Sequence, residues 1–160
     1  MKTFILFTII GVFFHGETKA QGKATSAGYL KATVTTSTGV INYEAIQVVV
    51  GNGNSTGKKY FALVAASKQG RIEIKLDKAL QVGTYQLNSG NKKNVILYMP
   101  PRGMPLTTSK CADAMGILTV TEISTTKAKG TFSFIGKPLM GKCDTSEKVV
   151  VSNGSFEVKL

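Results

Sequence analysis

The stretch RIEIKLD, residues 71–77, alternates apolar and charged side chains without interruption. Ile72, Ile74 and Leu76 fall on one face of an extended chain, and the charged residues between them point the other way. An amphipathic helix would instead repeat its apolar residues every three or four positions. The stretch therefore predicts a half-buried β-strand.

The same two-residue period recurs along the chain, and no segment keeps a helical period for three turns. The segments concerned are rich in β-branched and aromatic residues, which favour strands. They are YLKATVTT (29–36), INYEAIQVVV (41–50), KKYFALVAAS (58–67), GTYQLNS (83–89), NVILYMP (94–100), GILTVTEIS (116–124) and KGTFSFIG (129–136).

Turn-forming residues separate these segments, as in KQG (68–70) and NSGNKKN (88–94). Short strands with such regular punctuation predict an all-β, antiparallel fold. We expect an antiparallel β-sandwich, immunoglobulin-like or related, and the alternative is a closed or partly open antiparallel β-barrel. The sequence leaves open whether the sheet closes on itself.

The final stretch, VVVSNGSFEVKL (149–160), contains an Asn-Gly pair between two apolar runs. A two-residue type I′ turn needs positive φ at both central positions, and Asn-Gly supplies it readily. The pair therefore predicts a hairpin with Val151 opposite Phe156, and a three-residue loop with a bulge is the rival geometry.

The first residues have the pattern of an export signal. Lys2 precedes an apolar run, Phe4–Phe14, and the small residue Ala20 follows. The run is too short for a membrane helix, which needs about 20 residues. We expect a signal peptide at 1–20, a single domain at 21–160 without a transmembrane segment, and a secreted or periplasmic location.

The composition excludes several kinds of chemistry. The single histidine, His15, lies in the expected leader, so histidine-dependent catalysis and histidine-ligated metal sites are not expected. The net charge is +11, but 18 of the 20 basic residues are lysine and no aromatic residues interleave with them, so we expect no nucleic-acid partner. Lysine on solvent faces for solubility is one explanation of the charge, and a field that attracts an anionic partner is another. No cofactor or metal is predicted.

The two cysteines, Cys111 and Cys143, predict one disulfide in an exported protein. This bond would join the proline-rich segment 99–115, which has no strand signal, to the segment 136–148. Long irregular loops are often functional, although a stiff crossover pinned for stability is the simpler interpretation. The candidate binding residues there are Arg102, Met104, Lys110, Asp113, Lys137, Lys142 and Asp144.

Two further motifs give weaker hypotheses. Asp113 and Asp144 each lie close to a cysteine, so a disulfide would bring them towards each other as a carboxylate pair or weak Ca²⁺ site, although loop-surface charge is the simpler interpretation. The glycine-rich stretch GNGNSTG (51–57) lacks the G-K-[ST] ending of a phosphate-binding loop and predicts a flexible hairpin loop.

Several phrases occur in an order that resembles one protein family: KATVTTSTGVINYEA (31–45), GTYQL (83–87), GILTVTEI (116–123), GTFSF (130–134) and VVVSNGSF (149–156). That family comprises small exported proteins of Bacteroidota-type bacteria with a domain of unknown function. The resemblance implies an all-β envelope or secreted domain and supplies no catalytic residue. Many such proteins look like lipoproteins, but this chain has no lipid-attachment cysteine after its apolar run, which favours a soluble form.

We therefore expect a non-catalytic binding or structural module of the bacterial envelope that recognises a glycan, an anionic surface component or a protein. One alternative is a carrier that holds a small hydrophobic ligand inside a barrel. The other is a hydrolase that uses carboxylates.

Overall fold

The computed structural model describes residues 25–26, 28–55, 58–90 and 93–160. The expected leader, residues 1–20, lies outside this range. Strands, turns and loops make up the described chain, and none of it forms a helix with the length and hydrophobicity needed to cross a membrane.

Twelve strands are found in the described residues. Their bounds are β1 Thr25–Ser26, β2 Gly28–Thr36, β3 Gly39–Ala45, β4 Gln47–Ser55, β5 Lys58–Ser67, β6 Gly70–Leu76, β7 Gly83–Asn88, β8 Val95–Met99, β9 Leu106–Thr107, β10 Met115–Ile123, β11 Lys127–Pro138 and β12 Val149–Lys159.

These strands form one antiparallel sheet in the order β1-β4-β5-β6-β8-β9-β11-β12-β2-β3, and β10 and β7 branch off from β11. Across the gap between the two arms of the sheet, the Tyr43 hydroxyl of β3 donates to the Ala65 carbonyl of β5 at 2.7 Å. The sheet is thus nearly closed into a barrel. The all-β antiparallel prediction is confirmed, and the barrel is the arrangement found.

The core lies inside this curved sheet. Ile72, Ile74 and Leu76 of the alternating stretch are fully buried, as their period predicts. Tyr43, Tyr98 and other large side chains fill the interior. Burial of each large apolar side chain contributes roughly 1.5–3 kcal/mol, so the inward faces supply most of the driving force for folding.

The hairpin predicted at Asn153-Gly154 is wrong. Val149–Lys159 is one continuous strand that pairs with β11 on one side and β2 on the other. Both registers shift around residues 152–155, and Asn153 has φ 51°, so the pair forms a β-bulge. A bulge and a tight turn can both contain a residue with positive φ, so Asn-Gly suits either. Here pairing with β11 and β2 on the two sides keeps the strand extended.

Three other segments differ from the sequence interpretation. INYEAIQVVV is divided at the exposed Ile46 into the end of β3 and the start of β4. GNGNSTG continues β4 as far as Ser55, and residues 56–57 of the expected loop lie outside the described range. The segment 99–115 contains the short strand β9, whose two residues have too little length to show a period.

Gly154 gives a test of the bulge. A Cβ there would meet the Phe132 carbonyl oxygen and lie 2.7 Å from the Phe132 ring. We expect Gly154→Ala to lower the free energy of unfolding by about 1–3 kcal/mol because the added methyl overpacks this contact. Urea denaturation of the purified protein measures the change.

The matched control is Gly51→Ala, since a Cβ at Gly51 has no neighbour within 4 Å. Alanine is the better residue in an open strand position, so this variant should gain up to about 1 kcal/mol. Equal stability of Gly154→Ala and the unmodified protein would contradict the close packing at the bulge.

Candidate stapled cleft

A disulfide joins the two segments on which the sequence placed its candidate binding residues. Cys111 and Cys143 are bonded, with their Cα atoms 5.6 Å apart, so the predicted pairing is confirmed. We call segments 99–115 and 136–148 the stapled loops. Closing a loop of 32 residues stabilises the fold by about 3–4 kcal/mol through the lost entropy of the unfolded chain.

The first stapled loop is also fastened to the sheet by buried hydrogen bonds. The Thr108 backbone NH donates to the Ile96 carbonyl at 3.1 Å, and the Ile96 NH donates to the Thr108 hydroxyl at 3.2 Å. The two loops meet where the Leu139 NH donates to the Pro105 carbonyl at 2.8 Å. These bonds hold the loop in one place, so a site built on it is pre-organised.

The sequence places Lys137 among the candidate binding residues, but the structure buries it at 8% exposure. Its Nζ donates to the carbonyl oxygens of Thr145 at 3.0 Å and Cys143 at 3.5 Å. It also forms an ion pair with Asp113 at 3.1 Å. Because the Asp113 side chain is 62% exposed, the ion pair contributes little, and the carbonyl bonds are the larger stabilising contribution. Lys137 is thus a buried anchor for the second loop.

The other candidate residues remain at the surface. Lys110 is exposed, and its Nζ donates to the Gly141 carbonyl, which adds a further link between the loops. Arg102, Met104, Lys142 and Asp144 are also exposed. Asp113, one member of the hypothetical carboxylate pair, forms an ion pair with Lys137. In the described residues no group of three or more potential metal ligands is found.

A cleft of about 520 Å³ lies beside the stapled loops. One side is the β2–β3 turn with Thr36, Ser37 and Thr38, and the other is the start of the first stapled loop. Its lining includes the buried Tyr98 and Leu106, whereas Arg102 and Lys148 are exposed on it. We call this the stapled cleft; its full lining is Thr36, Ser37, Thr38, Ile41, Tyr98, Pro100, Pro101, Arg102, Leu106, Glu147 and Lys148.

Polar groups around the stapled cleft are held by local bonds. The Thr36 and Thr38 hydroxyls lie 2.8 Å apart, which orders the turn. The Tyr98 hydroxyl donates to the Gln69 carbonyl at 2.9 Å. Burial raises the pKa of Tyr98 above the ordinary value for tyrosine, so the phenol is neutral at physiological pH. The charged lining groups are Arg102, Lys148 and Glu147.

Sequence reasoning found Arg102 but missed the rest of this lining. The β2–β3 turn is more than sixty positions before Arg102, and no local pattern indicates that they meet. Lys148 resembles any exposed lysine in a chain that has many. Lys148 comes close to the β2–β3 turn because β12, which begins at the next residue, pairs with β2. The sequence does not show this pairing.

Comparison with known proteins gives one match. A family model described as Domain of unknown function (DUF6252) matches residues 42–158. No curated protein and no solved structure matches the chain. The matched range includes both stapled loops, whereas residues 36–38 of the stapled cleft precede it.

Lys137 gives a test of how the second stapled loop is held. We expect Lys137→Met to lower the free energy of unfolding by about 1.5–3 kcal/mol, because two carbonyls lose a charged donor. The control is Lys142→Met on the same loop, where an exposed side chain should change stability by less than about 0.5 kcal/mol. Urea denaturation compares the two, and equal effects would contradict the anchoring role of Lys137.

Proposed function

The chain belongs to the DUF6252 family, whose function is unknown, and we propose that it is a non-catalytic, exported binding module that recognises an acidic glycan in the stapled cleft. The single observation that carries the proposal is the placement of Arg102 and Lys148 on one cleft with the hydroxyls of the β2–β3 turn. We also propose that the family's members are small exported proteins of Bacteroidota-type bacteria.

The stapled cleft carries two cations, Arg102 and Lys148, against one carboxylate, Glu147, so its net positive charge suits an acidic sugar. The guanidinium of Arg102 offers paired donors that fit a carboxylate or sulfate, and Lys148 adds a compact positive charge. The hydroxyls of Thr36, Ser37 and Thr38 both donate and accept hydrogen bonds, as sugar hydroxyls do. Apolar lining residues such as Ile41 and Pro101 can contact the C–H groups of a sugar ring.

The charge of the whole chain supports the same class of ligand. A net charge of +11 raises the local concentration of anionic polymers around the protein. Export would place the protein where envelope glycans occur. Support for export comes from the Lys2 and Phe4–Phe14 pattern and from the disulfide, which persists in oxidising compartments.

Binding suits these residues better than catalysis does. Most described carboxylates are held in ion pairs with lysine or arginine, as at Lys31–Glu44, Arg71–Glu73, Glu122–Lys127, Glu157–Lys129 and Asp113–Lys137. The hydrolase hypothesis therefore gains no support from Asp113. The carrier hypothesis gains none from the interior, which large side chains such as Tyr43 and Phe61 fill.

Binding of polygalacturonic acid and heparin by the purified protein tests the proposed ligand class. We expect both Arg102→Ala and Lys148→Ala to weaken binding, and the double variant to weaken it about tenfold or more, because each removes a charged donor. The control is Lys159→Ala at the opposite end of β12 from Lys148, which should change affinity less than about twofold. Dextran serves as the uncharged probe, and the substitutions at Arg102 and Lys148 should not change how it behaves, because it forms no ion pair with them.

Equal losses in the double variant and in Lys159→Ala would show that charge acts diffusely and would overturn the site. Absence of binding to either acidic glycan would overturn the ligand class. Fluorescence-monitored unfolding confirms that each variant is folded.

Export has a separate test. The full chain expressed in a bacterium should be recovered outside the cytoplasm, with the mass of residues 21–160 and one disulfide. Ile9→Lys interrupts the apolar run and should leave the uncleaved chain in the cytoplasm. Mass spectrometry of both fractions measures this, and an uncleaved, cytoplasmic unmodified chain would contradict export.

A further inference from the structure

The β-bulge of β12 forms a second depression, on the outer face of the sheet. It has a volume of about 520 Å³ and is open to solvent along the sheet. Thr131 and Ser133 of β11 and Ser152 and Ser155 of β12 line it, together with Ile117 and Thr119 of β10. The bulge residues Asn153 and Gly154 complete the lining of the depression.

The rest of the outer face continues this uncharged lining across neighbouring strands. Strand registers place three rows of side chains side by side. The row through the depression holds Thr84, Thr119, Thr131 and Ser155. The next row holds Gln86, Ile117, Ser133, Ser152, Thr33 and Asn42. The third holds Met115, Ile135, Val150, Thr35 and Val40.

Charges begin at a sharp boundary. Beyond the first row, Glu122, Lys129 and Glu157 stand in register, and Lys129 forms an ion pair with Glu157 at 3.0 Å. The hydrogen bond from Lys127 lowers the pKa of Glu122, which keeps this carboxylate ionised. The Lys31–Glu44 pair bounds the first row on β2 and β3. Ser155 is in register with Lys31, so the first row ends at this paired cation and carboxylate. The fifteen side chains named above in the three rows are uncharged, although the chain carries +11. We call these three rows the neutral face.

The composition of the neutral face excludes most classes of partner. The one charged pair that continues these rows, Lys31–Glu44, is compensated internally, so the face offers no unpaired cation for an anion or a nucleic acid. It also offers no cluster of carboxylates for a metal ion, since no group of three potential metal ligands is found in the described residues. The three rows contain no aromatic residue and no arginine, the residue types that supply most of the binding energy of stable protein interfaces. Hydroxyl and amide side chains both donate and accept hydrogen bonds, which matches a ligand made of uncharged hydroxyl groups.

We propose that the neutral face is a second binding site, centred on the depression at the bulge, for an uncharged polysaccharide. Sugar hydroxyls bond to the rows through Thr131 and Ser133, and the C–H faces of the sugar rings pack on the apolar row through Met115 and Ile135. The site is separate from the stapled cleft and does not depend on its cations.

Binding to cellohexaose, laminarihexaose and mannohexaose by calorimetry tests the site, at about 50 mM and about 500 mM NaCl. We expect at least one of these uncharged probes to bind with an affinity that changes less than about twofold between the two salt concentrations, because no ion pair forms. Thr131→Val removes the hydroxyl at nearly constant shape and should weaken binding about two- to tenfold. Thr131→Lys should weaken it more than about tenfold by placing a charge against the uncharged sugar.

The matched control is Thr121→Lys, the same substitution at an exposed position of β10 beside the charged row. It should leave affinity within about twofold of the unmodified protein. Arg102→Ala should also leave it unchanged, which separates this site from the stapled cleft. Unfolding curves show whether the Thr131 variants are folded, and Thr131→Val carries the test if the lysine variant is not.

Four results would overturn the site. Three concern the probes: no binding of any of them, binding lost at high salt, and equal effects of Thr121→Lys and Thr131→Lys on affinity. A fourth is a dimer in sedimentation that Thr131→Lys dissociates, since the neutral face would then be an interface between two copies of the chain.

Discussion

Strand β11 is the constraint on which the rest of the structure depends, because both branches of the sheet pair with it. Along one edge it pairs with β10 through residues 128–135 and then with β9 through Lys137 and Pro138. The change of partner occurs at the buried Gly136. A Cβ there would lie 2.9 Å from a Val149 methyl and 3.3 Å from the Leu106 backbone, so a larger residue would push apart the strands that meet. The pairing with β9, which lies in the first stapled loop, brings that loop beside the end of β11, where the second stapled loop leaves the sheet.

The features that the sequence predicted are those that depend on neighbouring residues or on simple chemistry. Ile72, Ile74 and Leu76 indicated a strand because apolar residues recur there at every second position, and the structure buries all three side chains. Cys111 and Cys143 identified the disulfide because a chain with two cysteines has one way to pair them within itself. The hairpin failed since Asn153 and Gly154 suit a turn and a bulge equally well, and only the strands on either side decide between them. The short strand β9 and the cleft lining depend on contacts between distant segments, which no local pattern encodes.

Both concavities lie where regular strand pairing is interrupted. The depression on the neutral face lies at the bulge, where the registers of β12 with both neighbours shift. The stapled cleft lies where β8 ends and the chain leaves the sheet at Pro100. Side chains fill the inner face of the sheet, so a ligand finds room only where the outer surface departs from a continuous ladder. Residues that line such outer concavities can be substituted without disturbing the packing of the core beneath them.

The distribution of charge separates the two surfaces physically. The stapled cleft has exposed cations, so binding there weakens as salt screens them. The neutral face relies on hydrogen bonds and apolar contact, which salt at moderate concentration hardly affects. Ion pairs such as Lys129–Glu157 neutralise the charges that border the neutral face. The net positive charge of the protein therefore comes from residues outside this face. The two proposals together predict that one chain would hold a neutral polymer on its outer sheet while an acidic segment of the same or another glycan occupies the cleft. Simultaneous engagement would raise the overall affinity without any new contact.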